Sequence, residues 1–466
     1  MHFRFSLFLF FFLPGIINAK CIDNDTTYFI LKEVQITGNK KTKSRIITRE
    51  IKVQPGDTIF LFQVNEILLT TRNRIFNTGL FLKTEVSFTA DSGNYRSMEI
   101  LVKERLYTYP IPMASLADRN FNEWWYTRKR DLTRLEYGMD FIQKNMRGRN
   151  ETLRIKVNGG FSTKAELTYL IPYINKKQNL GLSLFTGIIK NRRIAYRTGE
   201  NILIFHDDPE YVRTRINAGL GLTYRRKFYE FHVFSLSYYR NSIADTIARL
   251  NPDYFLQGRK LQEYLHLRYS FIYDRRDITY YPLKGKYFRF DFEKIGLGTF
   301  DNADITSFRS EVSGYLPLSK RFYASAAFIN KYSLPDKQPY FNLRGLGYLK
   351  DYVSGYELYV IDGTAYTLFK TNLKYKLLSM EKGFDILPGT LENIPIAIFL
   401  KAYYDAGYVM DPINNPGNAA LANSFLNGGG IGFDIVTYYD MVFRFEYSFN
   451  RMMERGLFFS FKTPFN

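Results

Sequence analysis

The residues able to do chemistry are few, and their spacing suits it poorly. One cysteine and four histidines stand among 466 residues, which excludes a disulfide framework, a thiolate zinc site and a His-rich metal centre. His206, Asp207 and Asp208 are consecutive and suggest a metal site or an outer-membrane protease, but neighbouring His and Asp in a polar loop are usually just hydrated. Ser270 follows His266 by four positions; on a strand that is roughly 13 Å, too far for a nucleophile and its base. No glycine-rich loop leads from a strand into a helix, so nucleotide binding has no support. The residues indicate no enzyme, no cofactor and no metal.

What the chain carries instead is pattern. It has 42 Phe and 37 Tyr, 45% hydrophobic residues and 17% aromatic ones, which excludes a disordered chain. Its mean hydropathy is nevertheless −0.25. Rings that must hide while a second surface stays polar would reconcile the two. Lys and Arg outnumber Asp and Glu by 64 to 45, a net charge of +19. A basic polar interior and contacts with anionic lipid headgroups explain that excess better than nucleic acid does.

The first residues give the compartment. Met1 to Arg4 make a short basic start, Phe5 to Leu13 are apolar, Pro14-Gly15 breaks the run, and Ala19 offers a small residue for cleavage. Residues 1–19 read as a secretory signal peptide, too short to span a bilayer. Lys20 stands where a lipobox would need a small residue before Cys21, so that cysteine reads as a bland near-terminal thiol. No later apolar run is long enough for a membrane helix; only a β-barrel could hold the chain in a membrane.

Residues 29–105 read as a small α+β domain in the order strand, helix, helix, strand, strand. Phe29 to Ile36 alternates and stops at Gly38-Asn39; Ile46, Ile47 and Ile51 have helical spacing; Val64 to Asn77 places Ile67, Leu68, Ile75 and Phe76 on one face before Gly79. Two alternating strands follow, through Val86 and Phe88 and then Met98, Ile100 and Val102.

From Arg134 onward, alternation at period two dominates: Phe288, Phe290 and Phe292 interleave with Arg289, Asp291 and Glu293. Sixteen such segments run from 134–142 to 456–463, with 192–205 as the fifth. Many are about 10 to 14 residues long, enough to cross a bilayer at a tilt of about 45°, where globular strands run about 5 to 6. Short links at Gly160-Phe161, Lys190-Asn191, Arg226-Lys227, Leu318-Ser319 and Thr437 to Asp440 fall on one side. The long ones, 241–260, 332–363 and 405–426, fall on the other. That segregation describes an all-β transmembrane barrel of 16 antiparallel strands over residues 107–466, with short periplasmic turns and long outer loops.

The small domain resembles POTRA, through VQITGNKKTKSRIITREI, PGD at 55–57 and FNTGLF at 76–81. The barrel resembles that of the BamA/TamA family of outer-membrane assembly factors. The likeness rests on NMRGRNETL at 145–153, YDRRDITYYPLKG at 273–285, Asn342-Leu343-Arg344-Gly345-Leu346, YYDAGYV at 403–409, GGGIGFDI at 428–435 and FFSFKTPF at 458–465. Within the second stretch, Asp274, Arg276, Asp277, Pro282 and Gly285 match a family strand motif.

The resemblance implies a location in the outer membrane of a Gram-negative bacterium, with POTRA in the periplasm. It implies the assembly, insertion or translocation of other proteins. Clients would be unfolded outer-membrane or exported proteins, captured by strand addition at POTRA and handed to a lateral seam between the first and last barrel strands. A single POTRA suggests a specialised member with accessory subunits. In this family the sixth outer loop, here 332–363, folds into the lumen, and its Arg-Gly pair locks it there. Carried over, Arg344 and Gly345 form the lock, Asp405 is the carboxylate partner and Tyr403 its aromatic neighbour. The family's second acidic partner falls at Lys374, so lumenal support would come from Asp291 or Glu293. Two other readings stay open: a passive or substrate-specific channel, and a structural anchor for a surface complex.

Overall fold

A computed structural model describes residues 27–91, 93–116, 129–300, 302–348, 350–383, 393–437 and 440–462. The signal segment 1–19 and Cys21 lie outside the described residues. The amino-terminal domain comprises β1 (Tyr28–Thr37), α1 (Ser44–Thr48), β2 (Thr58–Phe60), α2 (Leu61–Asn77), β3 (Phe81–Ala90) and β4 (Tyr95–Glu104). Its sheet order is β2-β1-β4-β3, with β1 and β4 parallel. The short β2, absent from the sequence reading, pairs antiparallel with β1 through Ile59 opposite Phe29. Alternation sets the core: Phe29, Leu31, Met98, Ile100 and Val102 face the helices, which return Ile46, Ile47 and Ile75.

Sixteen strands then form one antiparallel sheet in chain order. They are β5 (Thr108–Leu116), β6 (Leu135–Met146), β7 (Glu151–Gly160), β8 (Ser162–Ile171) and β9 (Leu180–Asn191). A separate hairpin follows, β10 (Arg193–Gly199) and β11 (Ile202–Asp207). The sheet resumes with β12 (Arg213–Lys227), β13 (Glu230–Ile243), β14 (Leu261–Asp274), β15 (Gly285–Ile295), β16 (Ile305–Pro317) and β17 (Phe322–Leu334). It ends with β18 (Ala365–Gly383), β19 (Asn393–Met410), β20 (Phe425–Thr437), β21 (Met441–Asn450) and β22 (Arg455–Lys462). A helix, α3 (Asp245–Leu250), interrupts the link from β13 to β14.

The sheet is a barrel turned inside out relative to a soluble one. Along β19, Leu400 and Tyr404 are exposed, whereas Lys401, Tyr403 and Asp405 are buried. The same inversion holds at Leu373 against Lys374 and at Phe433 against Asp434. An apolar exterior over a polar interior is what a membrane wall requires. The interior groups meet across the lumen: Tyr281, in the turn between β14 and β15, donates to Asp434 on β20 at 2.9 Å.

The strand count agrees with the sequence reading because two errors cancel. The first strand is β5, which was not read from the sequence. The segment 192–205, read as the fifth strand, folds instead into the β10–β11 hairpin, outside the barrel sheet. This shift in parity moves two links. Gly160-Phe161 and Lys190-Asn191, expected as periplasmic turns, lie at the mouth opposite the amino-terminal domain. The described turns on the domain's own side are 147–150, 172–179, 228–229, 275–284 and 318–321; of the link Thr437 to Asp440, residues 438–439 lie outside the described residues.

Candidate functional site

The link from β17 to β18, residues 335–364, enters the lumen and rests on β18 to β21. Glycine decides where it can rest. A side chain at Gly428 on β20 would overlap the carbonyl oxygen of Ser354, and one at Gly345 would overlap that of Ile361. The first glycine lets the loop touch the wall; the second lets it fold upon itself.

Asp405, 1% exposed, is the wall's main grip. It accepts from the Ser354 amide at 3.1 Å and the Ser354 hydroxyl at 2.6 Å. It also pairs with Lys370 at 2.9 Å, its direct cross-strand neighbour on β18. Lys370 in turn donates to the Tyr352 carbonyl at 2.8 Å. The expected Arg344–Asp405 lock is therefore replaced. Asp405 holds the loop through Ser354, and its cation is Lys370. Arg344 lies over the Tyr348 ring at 4.2 Å, and the Tyr348 hydroxyl donates to buried Asp362. Arg344 thus braces the loop against itself. Tyr403, expected beside that guanidinium, bonds Ser448 at 2.8 Å.

The proposed lumenal supports are also engaged elsewhere. Asp291 pairs with Arg289 at 2.8 Å and accepts from Ser270 at 2.5 Å. Glu293 pairs with Arg268 at 2.6 Å and lies 3.6 Å from His266. The loop's outer support is Arg309 on β16, 3.1 Å from Asp351. Lys374 stands over the Tyr281 ring at 4.0 Å. Glu357, within the loop, has an oxygen buried without a hydrogen-bond partner. Burial, reinforced by nearby Glu446, raises its pKa to about 7.

The residues matched to the strand motif lie where β14 turns into β15. Arg276 forks onto Asp274 at 2.8 and 2.6 Å, and Asp277 accepts from the Leu283 amide at 3.1 Å, which closes the turn that leads into Gly285. Pro282 lines the same lumenal cavity as Arg276 and Tyr281. That turn faces both ways. Tyr281 reaches Asp434 inside, while Asn77 of α2 donates to the Asp277 carbonyl at 3.0 Å.

The amino-terminal domain is docked across its mouth of the barrel. The Lys43 backbone amide donates to the Gly148 carbonyl at 3.0 Å, and Arg49 lies over Tyr173 at 4.9 Å. Arg225 forks onto Glu50 at 2.6 and 2.7 Å, and Arg74 lies over Phe228 at 4.0 Å. Arg105 forks onto Asp440, both bonds at 3.0 Å. Burial draws the Arg49 and Arg74 guanidinium groups below the usual arginine range. Sequence reasoning found none of these pairs, because nothing local marks a contact between residues 175 positions apart.

The other mouth is covered by loops. Ile194, Val212, Ile247, Tyr254, Phe255 and Tyr340 form one buried cluster. Asn201, at the tip of the β10–β11 hairpin, donates to the Val360 carbonyl at 3.2 Å and to Asn418 at 3.0 Å. The triplet seen first in the sequence belongs to this hairpin: Asp207 lies 3.5 Å from both Arg134 and Arg193, and His206 lies 3.8 Å from Asp208.

Comparison with known proteins follows the same outline. The Omp85 superfamily domain matches residues 145–367, and the surface antigen variable number repeat, the POTRA family, matches residues 29–105. No curated protein matches the sequence. Among solved structures, BamA from Haemophilus ducreyi lacking POTRA domains 1–3 is similar at a TM-score of 0.50 and 16% identity, over 93% of this chain and 84% of that one. CdiB from Escherichia coli is similar at 0.51 and 8% identity, over 96% and 92%. Identities this low speak to fold alone.

Proposed function

As the chain belongs to the Omp85 superfamily, we propose that it assembles, inserts or translocates other proteins at the outer membrane of a Gram-negative bacterium, with its POTRA domain in the periplasm. Clients are unfolded outer-membrane or exported polypeptides. They are captured at the free edge of β3, which pairs only with β4 among the described residues, and an exposed edge accepts a further strand by backbone bonding. Accessory subunits and outer-membrane lipid are the remaining partners.

The observation that carries this reading is closure at both mouths with a loop held between them. POTRA covers one end, the β10–β11 hairpin and neighbouring loops cover the other, and Ser354 on Asp405 fixes the loop inside. A passive channel needs an open lumen, and a mere anchor needs no lumenal loop. Depletion tests the reading. Broad loss of other barrel proteins supports assembly, and loss of one exported product supports translocation. If neither changes, or if the pure protein gives a large, steady conductance with the loop intact, the proposal fails.

A further inference from the structure

The lipid-facing rim of the mouth opposite POTRA carries two cations that no carboxylate matches. We propose that Lys190 and Arg192, held on the Tyr211 ring, bind the phosphate group of a lipid in the outer leaflet. The proposal rests on the outer-membrane placement above and adds a lipid site to it.

Strand register sets the position. Side chains alternate faces along a strand, so Lys190 on β9 shares the outward face with Leu184, which is exposed. Lys190 lies between Thr163 on β8 and Thr214 on β12. The row beneath it is Ala165, Ile188 and Ile216, and exposed Leu167 and Leu220 continue the apolar wall. At about 3.4 Å per residue, Lys190 stands roughly 20 Å along the strand from Leu184. A charge at the end of a strand above such a wall sits at the level of lipid headgroups.

Tyr211 gathers the two cations. Its hydroxyl bonds the Thr163 hydroxyl at 2.8 Å, which pins the ring to the rim. The Lys190 ammonium lies 5.7 Å from the ring centre and the Arg192 guanidinium 4.8 Å from it. A ring face attracts a cation without cancelling its charge, and two like charges on one ring repel each other. Among the described residues, neither cation forms an ion pair. Arg192 reaches only the Gly160 carbonyl, at 3.4 Å, and its Nε is buried without a hydrogen-bond partner. The acids on the same link are turned elsewhere: Asp208 accepts from the Glu210 amide at 2.9 Å and lies 3.8 Å from His206. Other cations near this mouth are matched. Arg240 lies 3.3 Å from Glu263, Lys260 lies 3.0 Å from Asp245, and Lys294 bonds Asp304.

A phosphate supplies the missing charge, since it accepts a forked guanidinium and an ammonium together. The wall decides its source. Acyl chains of the same molecule cover Ile188 and Ile216, a contact that free phosphate cannot make.

Native mass spectrometry of the full chain in detergent tests this. The probes are lipid A with its phosphates, the same acylated disaccharide with the phosphates removed, and inorganic phosphate. The parent should retain the phosphorylated lipid several-fold more strongly than the dephosphorylated one. Lys190→Gln combined with Arg192→Gln should remove most of that preference. Arg192→Lys should keep much of it, and Arg240→Gln, at a matched pair, should leave it unchanged. Equal retention of the two lipids by the parent overturns the proposal, as does an unchanged preference in the double variant. An equal loss in Arg240→Gln, or displacement of the lipid by millimolar inorganic phosphate, overturns it too. Insertion into phospholipid vesicles is measured alongside. If the chain does not insert, the membrane placement and this site both fail; if it inserts but shows no phosphate preference, only the site fails.

Discussion

Asp405→Ala should free the lumenal loop far more than Arg344→Ala. Asp405 accepts two bonds from Ser354 and pairs with Lys370, all at 1% exposure. Breaking a buried ion pair costs about 3–5 kcal/mol. Lys370 keeps its bond to the Tyr352 carbonyl and its side chain is 24% exposed, so the low end applies, about 3 kcal/mol. At about 1.4 kcal/mol per tenfold, the open-loop population rises on the order of 100-fold. Arg344 contributes a stacking contact with Tyr348, worth about 1–2 kcal/mol when partly desolvated, and its loss should raise opening only about tenfold. The assay is limited proteolysis of the membrane-embedded protein with a cleavage site inserted after Leu358, an exposed loop position. When reclosing is fast, cleavage tracks the open population. Asp405→Asn, which keeps an acceptor for Ser354 but loses the charge, should fall between parent and alanine. If Arg344→Ala is cut as fast as Asp405→Ala, or Asp405→Ala is cut no faster than the parent, Asp405 is not the grip.

Three further outcomes follow from the same contacts. Gly428→Ala, which drives a methyl group into the Ser354 carbonyl, should raise cleavage in the same assay, with an overpacking cost of about 1–3 kcal/mol. Glu50→Ala leaves Arg225 buried and unpaired and should weaken POTRA docking by about 3 kcal/mol; a fluorophore pair across the junction would report a lower urea midpoint for undocking. Glu357 titrates near 7 in place and at 4.5 when released. A raised acid pKa favours the seated loop fully below 4.5, and that contribution is lost as pH rises through 7. Protection should therefore decline from pH 5 to pH 8, and Glu357→Gln should flatten the profile.

Period-two alternation made the barrel legible, since one buried and one lipid-facing side leave a trace at every second residue. Two segments depart from that pattern for reasons of local backbone chemistry. Pro110 and Pro112 lie in 108–116, which lacks the clear alternation of the other strands, and at an edge their missing donors cost the sheet nothing. The hairpin at 193–207 kept its alternation through a turn. Glu200 and Asn201, both with positive φ, make the mirror-type turn that tightens strands into a hairpin. The loop motif singles out Arg344, Gly345 and Asp405 in sequence. It could not pair them, because partners depend on register: Lys370 lies opposite Asp405 only once β18 and β19 align. Ser354 carries no motif at all.

The POTRA contacts have a mechanical consequence. They fall on the turns at Gly148, Tyr173, Phe228, Asp277 and Asp440, spread along the rim from β6 to β21. A rigid body touched at several non-collinear points has no axis left about which to swing. Severing one contact lowers the threshold for departure without changing the domain's resting position. Leaving the rim therefore requires several of these contacts to break.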